Sequence, residues 1–404
     1  MHADLHAVWK APRWALAVLL ACLGMLGPFA IDTYLPAFSG IAQSLHATPL
    51  QMQQTLSAYL AGFAFMNLFH GALADALGRR PVVLGGVALF TLASVGCALA
   101  PSIEVLVLCR AMQGFSTGAG IVVSRAVIRD LFPPEQAQRM MSQVTLFFGV
   151  APVIAPIIGG FIFTHFDWHG VFWALALIGV MLWVANWRLL PETLKPELKQ
   201  PLQFKALFQG YREVVGDRRF LLLAIASGVP FNGMFLYVLS APVFLGEHLH
   251  LGPTEYFWFF MCSIGGIMGG AAISGRLAGK MRPARQIRQG FIVMAVVSVV
   301  NVALNMAMPP TFPWTMLPVG LFALGWSLNA AVITLLVLEL FPHRRGMASS
   351  LQAVLASVSN AIVAGAVAPA VMHSTLALAW ASAGIMLVGL VSWLWVKRDV
   401  KALL

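Results

Sequence analysis

Long apolar runs, separated by short polar stretches, cover nearly the whole chain. Cuts at charged residues, prolines and glycines leave twelve runs of about 18 or more residues, which is the length that an α-helix needs to cross a bilayer. The predicted helices cover residues 14–38, 50–74, 81–100, 103–126, 140–164, 170–190, 219–246, 254–278, 289–308, 314–340, 347–371 and 374–396. We therefore predict an all-α polytopic membrane protein with twelve transmembrane helices.

A polar segment divides the twelve runs into two sets of six. We predict an N-terminal six-helix bundle over residues 1–190, a linker over residues 191–218 and a C-terminal six-helix bundle over residues 219–404. The linker contains Lys195, Glu197, Lys199, Lys205, Arg212 and Glu213. A short repeat at an offset of 204 residues favours two pseudo-symmetric halves, although ten residues are few enough to match by chance. It aligns Gly71, Leu73 and Ala74 with Gly275, Leu277 and Ala278, and Gly279 stands where the first copy has Asp75.

The charged residues are few and lie mostly in the gaps between apolar runs. Of 404 residues, 59% are hydrophobic and 10% are charged, against about 25% charged in a soluble domain. We assign the net charge of +10 to insertion topology and to contact with anionic membrane lipids, and we exclude nucleic acid as a partner. Lys and Arg gather in alternate loops, and neither occurs in the loops near His46, Pro101, Asp167, His248, Pro309 and His373. This asymmetry predicts a multi-pass protein of the bacterial inner membrane, with both termini and the linker in the cytoplasm.

Two charged residues lie deep inside the predicted helices, away from the helix ends. Asp32 lies in the outer half of the first helix, where an ionised carboxylate costs about 2.5–3.5 kcal/mol, so it should face a cavity or a partner. Substrate arrival can change its protonation, because desolvation and a nearby cation act on a carboxyl in opposite directions. The alternative is an interfacial aspartate beside a helix broken at Pro36. Arg110 in the fourth helix either meets a partner or water, or ties its helix to the carbonyls of a neighbour.

Two glycine-containing stretches carry further candidate residues. The stretch GALADALGRR follows the second helix and contains Gly71, Asp75, Gly78, Arg79 and Arg80. The fifth helix contains GVAPVIAPIIGG, with Gly149, Pro152, Pro156, Gly159 and Gly160. Prolines remove backbone donors and glycines permit close packing, so the fifth helix suits a hinge or a seal.

The pattern indicates neither an enzyme nor a metal site. Cys22, Cys97, Cys109 and Cys262 fall in apolar runs without metal-site spacing, and we interpret them as packing residues. Glu247, His248, His250 and Glu255 share one loop without a cysteine or a regular helical spacing, and we interpret them as a solvated loop. We predict no enzymatic activity and no cofactor. Without a nucleotide-binding loop, ATP is not expected to be the direct energy source.

Aromatic and small polar residues of both halves are candidates for a substrate cavity. Aromatic walls with a few polar groups suit variable apolar ligands, although any single aromatic can instead face lipid or another helix. The candidate residues are Tyr34, Tyr59, Phe63, Asn67, Gln113, Phe231, Asn232, Phe235 and Tyr237.

Three motifs in register resemble the major facilitator superfamily over nearly the whole chain. GALADALGRRP resembles its signature between helices two and three, Arg110-Ala111-Met112-Gln113-Gly114 its helix-four motif, and residues 149–160 its helix-five antiporter motif. The segments DTYLPAF, RAVIRDLF, GVAPVIAPIIGG, LPETL and YVLSAPVFL resemble more specifically the Bcr/CflA group of drug:H+ antiporters. His70, Ala76 and Leu77 depart from the usual pattern, and His70 is either a titrating group or a packed neutral side chain.

The resemblance implies two six-helix bundles, alternating access and proton-driven export of small toxic compounds by a monomer, and hence multidrug and antibiotic resistance. By motif match, Asp32 is the protonation site and Arg110 its electrostatic companion. The same match implies a cytoplasmic latch of Gly71, Asp75, Gly78, Arg79 and Arg80, with Asp130 as a charge partner. An exporter or importer of a physiological metabolite, such as an amino acid or sugar derivative, is the alternative on the same fold.

Overall fold

The computed structural model describes residues 13–132, 134–194, 196–199, 204–277, 280–341 and 345–400. Within these ranges the chain is almost entirely helical and contains no strand. It divides into two compact units, Met1–Gln203 and Phe204–Leu404, and the boundary falls inside the predicted linker. Lys195, Ala278 and Gly279, which entered the linker and repeat arguments, lie outside the described residues.

The described part of the first unit contains seven α-helices. They are α1 Arg13–Asp32, α2 Phe38–Ser44, α3 Pro49–Asn67, α4 His70–Leu77, α5 Arg79–Ala98, α6 Ile103–Leu131 and α7 Pro134–Leu189, and 3-10 turns occupy Leu35–Ala37 and Pro196–Leu198. The start of α3 is encoded locally, because the Thr48 side chain accepts a hydrogen bond from the Gln51 amide and the Gln51 side chain accepts one from the Thr48 amide. This reciprocal cap satisfies backbone donors that a helix start otherwise leaves unpaired.

Nine α-helices lie in the described residues of the second unit. They are α8 Phe204–Val215, α9 Arg218–Gly228, α10 Phe231–Leu239, α11 Phe257–Leu277, α12 Pro283–Ala307, α13 Leu317–Leu340, α14 Arg345–Ile362, α15 Ala368–Val371 and α16 Thr375–Val396. Short π-helical segments cover Pro242–His248 and Val363–Val367, and a 3-10 turn covers Pro253–Glu255. Asp217 begins α9 by accepting a hydrogen bond from the Arg219 amide at 2.8 Å. Its side-chain hydrogen bonds to the Arg219 guanidinium hold the pKa of Asp217 below its usual value.

The helices agree with the predicted number of membrane spans. Nine helices of the described chain are long and apolar enough to cross a bilayer, and two pairs bent by 47°, α3 with α4 and α9 with α10, raise the number to eleven. The span Ala151–Leu189 has 39 residues, about twice what one crossing needs, and it contains the non-helical residue Asp167. Division of this span at Asp167 is consistent with the twelve predicted spans. The nine to eleven spans already identify a multi-pass membrane protein.

Several predicted boundaries differ from the structure: α6 ends at Leu131 instead of residue 126, and α12 begins at Pro283 instead of residue 289. The first span extends to Ser44, six residues beyond the predicted end at 38, because the 3-10 turn at Leu35–Ala37 joins α1 to α2 without a loop. The predicted gap over residues 165–169 is not a loop either. Helical geometry breaks only at Asp167, where φ is 64° and the carboxylate accepts a hydrogen bond from the Trp168 amide at 2.6 Å.

Close backbone crossings hold α6 and α7 against their neighbours in the first unit. A Cβ atom added to Gly114 of α6 would lie 1.9 Å from the Tyr59 carbonyl oxygen of α3. A Cβ on Gly159 of α7 would lie 2.1 Å from the carbonyl oxygen of Thr33, which directly follows α1. Lipid tails are as apolar as the helix surfaces, so small residues that let backbones approach are a main source of packing energy between spans.

Candidate functional site

A fully buried arginine lies at the centre of the first unit. Arg110 of α6 has 0% relative exposure. Its Nη1 donates hydrogen bonds to the carbonyl oxygen of Ala30 in α1 at 3.2 Å and to Oε1 of Gln113 at 2.8 Å. Nε and Nη2 are buried and have no hydrogen-bond partner among the described residues. The guanidinium therefore keeps unused donor capacity inside the membrane.

Two tyrosine rings cover the Arg110 guanidinium. Its Cζ lies 4.6 Å from the ring centroid of Tyr34 and 4.6 Å from that of Tyr59. The Tyr59 hydroxyl donates to the Gly27 carbonyl at 3.0 Å, and the Tyr34 hydroxyl lies 2.7 Å from the Thr55 hydroxyl. Cation–π attraction offsets part of the cost of the buried charge. Tyr34 and Tyr59, predicted for a substrate cavity, are 0% and 1% exposed and form the walls of the arginine site.

Gln113 holds the orientation of Arg110. Its Oε1 accepts from Arg110, and its Nε2 donates to Oγ of Ser94 in α5 at 2.7 Å. Ser94 in turn donates to the Phe90 carbonyl at 2.7 Å. Because every member has a partner, this buried chain ties α5 and α6 together around the guanidinium. Gln113 was predicted for the substrate cavity, and the structure places it in this positioning network.

Asp32 lies next to this arrangement but does not pair with Arg110. It is the last residue of α1, two positions after the Ala30 carbonyl that Arg110 binds, and it is 5% exposed. Its carboxylate makes no hydrogen bond or ion pair to any described residue, and neither oxygen is completely enclosed. The two groups share a neighbourhood, and the Arg110 charge is bound to a helix carbonyl, Gln113 and two rings. No ion pair with a described residue holds the carboxylate in its ionised form.

The predicted hinge of α7 packs beside this site. The helix continues through Pro152 and Pro156 without a break in backbone geometry. Gly159 approaches the Thr33 carbonyl, one residue beyond Asp32, and Gly160 is buried as well. Gly149 belongs to the part of α7 whose side-chain surroundings the structure does not describe. A shift of α7 at this crossing would therefore move the backbone next to Asp32.

The GALADALGRR stretch forms a second cluster, the Arg79 cluster, which consists of Asp75, Arg79 and Asp130. Arg79 is 4% exposed, and its guanidinium contacts Asp75 Oδ1 at 2.5 Å and Asp130 Oδ2 at 3.1 Å. These contacts join the end of α4 and the start of α5 to the last turn of α6. Gly71 lies in α4 with Val122 of α6 as its nearest neighbour at 3.9 Å. The structure thus brings the predicted residue Asp130 to the motif.

Glu192 completes the surroundings of the motif and was not among the predicted site residues. It lies directly after α7, and its carboxylate accepts hydrogen bonds from the amides of Arg79 and Arg80 at 3.0 and 3.2 Å. The side chain of Arg80 donates to the Trp187 carbonyl at 2.5 Å. The available signal was LPETL at residues 190–194, a segment that resembles a family sequence but whose partner cannot be read from the chain.

The remaining first-unit candidates lie between α3, α4 and α6. His70 is 3% exposed and packs against α6 at Gly118, with its Nδ1 buried and without a hydrogen-bond partner. This is the packed arrangement of the two that the sequence left open. Asn67 is buried beside it, and Phe63 is half-buried near Gly114.

In the second unit, three half-buried aromatic rings lie together. Phe231 packs against Phe235 with ring centroids 5.2 Å apart and against Trp326 of α13 at 4.8 Å. Asn232 is fully buried and donates to the Ser359 hydroxyl at 3.0 Å. The cluster presents partly exposed aromatic surface with a polar residue behind it, as expected of a cavity wall.

Tyr237 lies elsewhere, in the packed interior of the second unit. It is 1% exposed, and its hydroxyl accepts a hydrogen bond from Asn301 of α12 at 2.8 Å. Its ring packs against Phe244 with centroids 5.0 Å apart. Tyr237, which was predicted for the substrate cavity, therefore lies apart from the rings of Phe231, Phe235 and Trp326.

The break between α9 and α10 is stabilised by side chains that the sequence did not single out. Pro230 lies at this break and has no N–H to donate to the preceding turn. Trp326 Nε1 donates to the Ser227 carbonyl at 2.8 Å, and Gln352 donates to the Ser227 hydroxyl at 2.8 Å. Interrupted helices whose freed carbonyls are bound by side chains are frequent at transporter binding sites.

Comparison with known proteins agrees with the motifs. The family model described as Major Facilitator Superfamily matches residues 20–364. An uncharacterised transporter of this type, YdgK of Bacillus subtilis, is 32% identical over 89% of this chain and 90% of its own. The bicyclomycin resistance protein homologue of Haemophilus influenzae is 34% identical over 67% of this chain and 68% of its own. Multidrug resistance protein D of Escherichia coli is 28% identical over 92% and 94%, respectively.

Solved structures agree on the fold. A bacterial homologue of the human lysosomal transporter Spinster superposes with a TM-score of 0.76, over 96% of this chain and 97% of that protein, at 15% identity. At this identity the likeness concerns the fold alone. Together with the sequence matches, it confirms the resemblance stated above and the all-helical fold of this superfamily, and the number of spans is consistent with the predicted twelve.

Proposed function

Because the chain belongs to the major facilitator superfamily, we propose that this transporter exports small toxic compounds across the bacterial inner membrane in exchange for protons. It works by alternating access as a monomer, with both termini in the cytoplasm, and takes its energy from the proton gradient without a cofactor. The names of relatives that are 28% and 34% identical, multidrug resistance protein D and a bicyclomycin resistance protein homologue, support the choice of cargo.

The observation that carries the proposal is the state of Asp32. A carboxylate inside a membrane span is costly unless a partner or a proton compensates it. Asp32 has no ion pair among the described residues, so binding a proton breaks no existing contact. A substrate that brings positive charge or hydrogen-bond donors can take the place of that proton. Proton and substrate then exclude each other at one group, which is the condition for exchange.

Arg110 makes the exclusion sharper. Its charge is fixed by Ala30, Gln113 and two tyrosine rings, and it therefore stays in place when Asp32 gains or loses a proton. A cation held nearby favours the ionised carboxylate, while burial favours the protonated one. The opposing effects keep both states of Asp32 accessible during a transport cycle. Coupling further requires that the inward-facing and outward-facing states differ in affinity for proton and substrate.

The experiment is transport in proteoliposomes with an imposed pH gradient, with a cationic fluorescent dye as the probe. We expect the unaltered protein to move the dye against its gradient while protons move the other way. Asp32→Asn should abolish uphill transport, because the amide can neither bind nor release a proton. The matched control is Glu104→Gln, an exposed acid-to-amide change at the start of α6, which should transport normally.

The outcomes separate the alternatives. Full proton-driven transport by Asp32→Asn would contradict the assignment of the coupling site. Transport of an amino acid or sugar derivative, with no movement of any dye or drug in a broad panel, would favour the metabolite transporter instead. A growth-inhibition panel in a host without its own pumps gives the list of exported compounds.

A further inference from the structure

The residues that follow α7 bind the start of α5 at consecutive positions. We call residues 190–194 the strap. Its Glu192 carboxylate accepts from the backbone amides of Arg79 at 3.0 Å and Arg80 at 3.2 Å. Lys199, a little further along the chain, donates to the Leu77 carbonyl at 3.2 Å. Leu77, Arg79 and Arg80 are thus all held by the segment that leads into the second unit.

Gly78 makes this approach sterically allowed. Its φ of 113° lies in the region that favours glycine, and a Cβ atom there would lie 2.4 Å from Glu192 Oε2. The carboxylate therefore fits directly over the first amides of α5. The strap also closes on itself, because the Leu194 amide donates to Glu192 Oε1 at 2.9 Å. The glycine of the motif is explained by the need to admit this carboxylate.

The strap also shares a partner with the Arg79 cluster. The Thr193 hydroxyl donates to Asp130 Oδ2 at 3.1 Å, the same oxygen that Arg79 Nε contacts at 3.1 Å. Thr193 is 9% exposed and Arg79 is 4% exposed, so water screens these contacts less than it screens surface pairs. Two neighbouring residues of the strap therefore bind two different helices: Glu192 binds the backbone of α5, and Thr193 binds the Asp130 carboxylate of α6.

We propose that Glu192 is a positioning residue of the switching mechanism: the strap clamps the start of α5 and couples the linker to the Arg79 cluster. This inference rests on the proposed function in one respect: switching here means the exchange between the inward-facing and outward-facing states of the transporter. When the linker is pulled or displaced, Glu192 leaves the amides of Arg79 and Arg80, and Thr193 leaves Asp130. The cluster then loses support from the chain segment that joins the two units. Release of the clamp and opening of the cluster become one event.

The physical basis is helix capping by a charge. The first amides of a helix have no partner within the helix, and a carboxylate at that end also gains from the helix dipole. Loss of a side-chain cap usually changes a local opening equilibrium by about five-fold, and by up to about thirty-fold in favourable cases. Glu192 is exposed to solvent, which weakens the effect of its charge, but its carboxylate accepts two amides of α5 and one of the strap, so we expect an effect near the middle of that range.

The first measurement is hydrogen–deuterium exchange of the purified protein, with readout at the backbone amides within residues 79–82, where Pro81 contributes none. Glu192→Ala should accelerate exchange there about ten-fold, and Glu192→Gln should give a smaller increase, because its amide oxygen still accepts one bond. The matched control is Glu197→Gln, an exposed acid of the same linker with no hydrogen bond to a described residue, and it should leave exchange unchanged. Unchanged exchange at residues 79–82 in both Glu192 variants would overturn the clamp.

The second measurement is the split between turnover and binding in proteoliposomes. Glu192→Ala should lower the maximal rate of dye transport about five-fold or more while the dye dissociation constant changes less than two-fold. The effects of Glu192→Ala and Asp75→Ala on the transport rate should be non-additive, because both changes favour the same opening of the Arg79 cluster. Normal turnover in Glu192→Ala, or additive effects, would overturn the coupling. If the unaltered protein moves no dye but exchange still responds to Glu192, the clamp stands and the proposed function fails.

Discussion

Gly114→Ala tests whether the close crossing of α3 and α6 holds the arginine site together. The added methyl would lie 1.9 Å from the Tyr59 carbonyl oxygen and 2.8 Å from its carbonyl carbon, whereas ordinary contact begins at 3.4 Å. The crossing must therefore open by about 1.5 Å, the difference between these distances. Both neighbours are backbone atoms and cannot rotate away, so α3 has to move as a helix.

The magnitude follows from three terms, of which two destabilise the protein and one stabilises it. Overpacking of this kind costs about 1–3 kcal/mol. Alanine recovers about 0.5–1 kcal/mol through its better helix propensity. Movement of α3 also withdraws the Tyr59 ring from Arg110, and a cation–π contact contributes about 0.5–2 kcal/mol. We expect a net destabilisation of about 1–3 kcal/mol, together with loss of proton-driven transport.

The assay is the temperature at which half of the detergent-solubilised protein leaves the monodisperse peak on size-exclusion chromatography. Gly85→Ala is the matched control, because it makes the same substitution in α5 at an exposed position with no atom within 4 Å of the new methyl. Gly114→Ala should lower this temperature, and Gly85→Ala should leave it unchanged or raise it. Equal temperatures for the two variants would refute the argument that backbone approach at Gly114 supports the site.

Three further predictions concern other contacts. Arg110→Lys should reduce transport at least ten-fold with the protein still folded, because an ammonium cannot stack between two rings; near-normal dye transport would contradict this. Asp75→Ala should slow switching more than it weakens dye binding, and weaker binding at an unchanged rate would reverse that role. Trp326→Phe should destabilise the protein by about 1–3 kcal/mol, because it leaves the Ser227 carbonyl at the helix break without its donor; the same melting temperature as the unaltered protein would argue against that bond.

Spans and family motifs could be predicted from the sequence because both are local. Apolar length indicates which segments cross the membrane, but several helix ends differ from the prediction by about six residues. Near Ser44 and Asp167, short-range geometry also joins segments that polarity had separated. Asp32 and Arg110 were found because a charge inside an apolar run stands out. The second half offered no such charge, and its buried amides are too common along the chain to be singled out.

Contacts between distant residues required the tertiary structure. Arg110 was expected beside Asp32, and only the helix crossings show that it is bound instead by Ala30, Gln113 and two tyrosine rings. Glu192 is 113 positions from Arg79 in the sequence. It is one of several charged residues of the linker, so the sequence did not indicate a role for it. Sequence pattern reports how each segment meets water and lipid. It does not report which helix lies next to which, because that depends on where backbones can approach closely, and those approaches decide the partners of every buried charge.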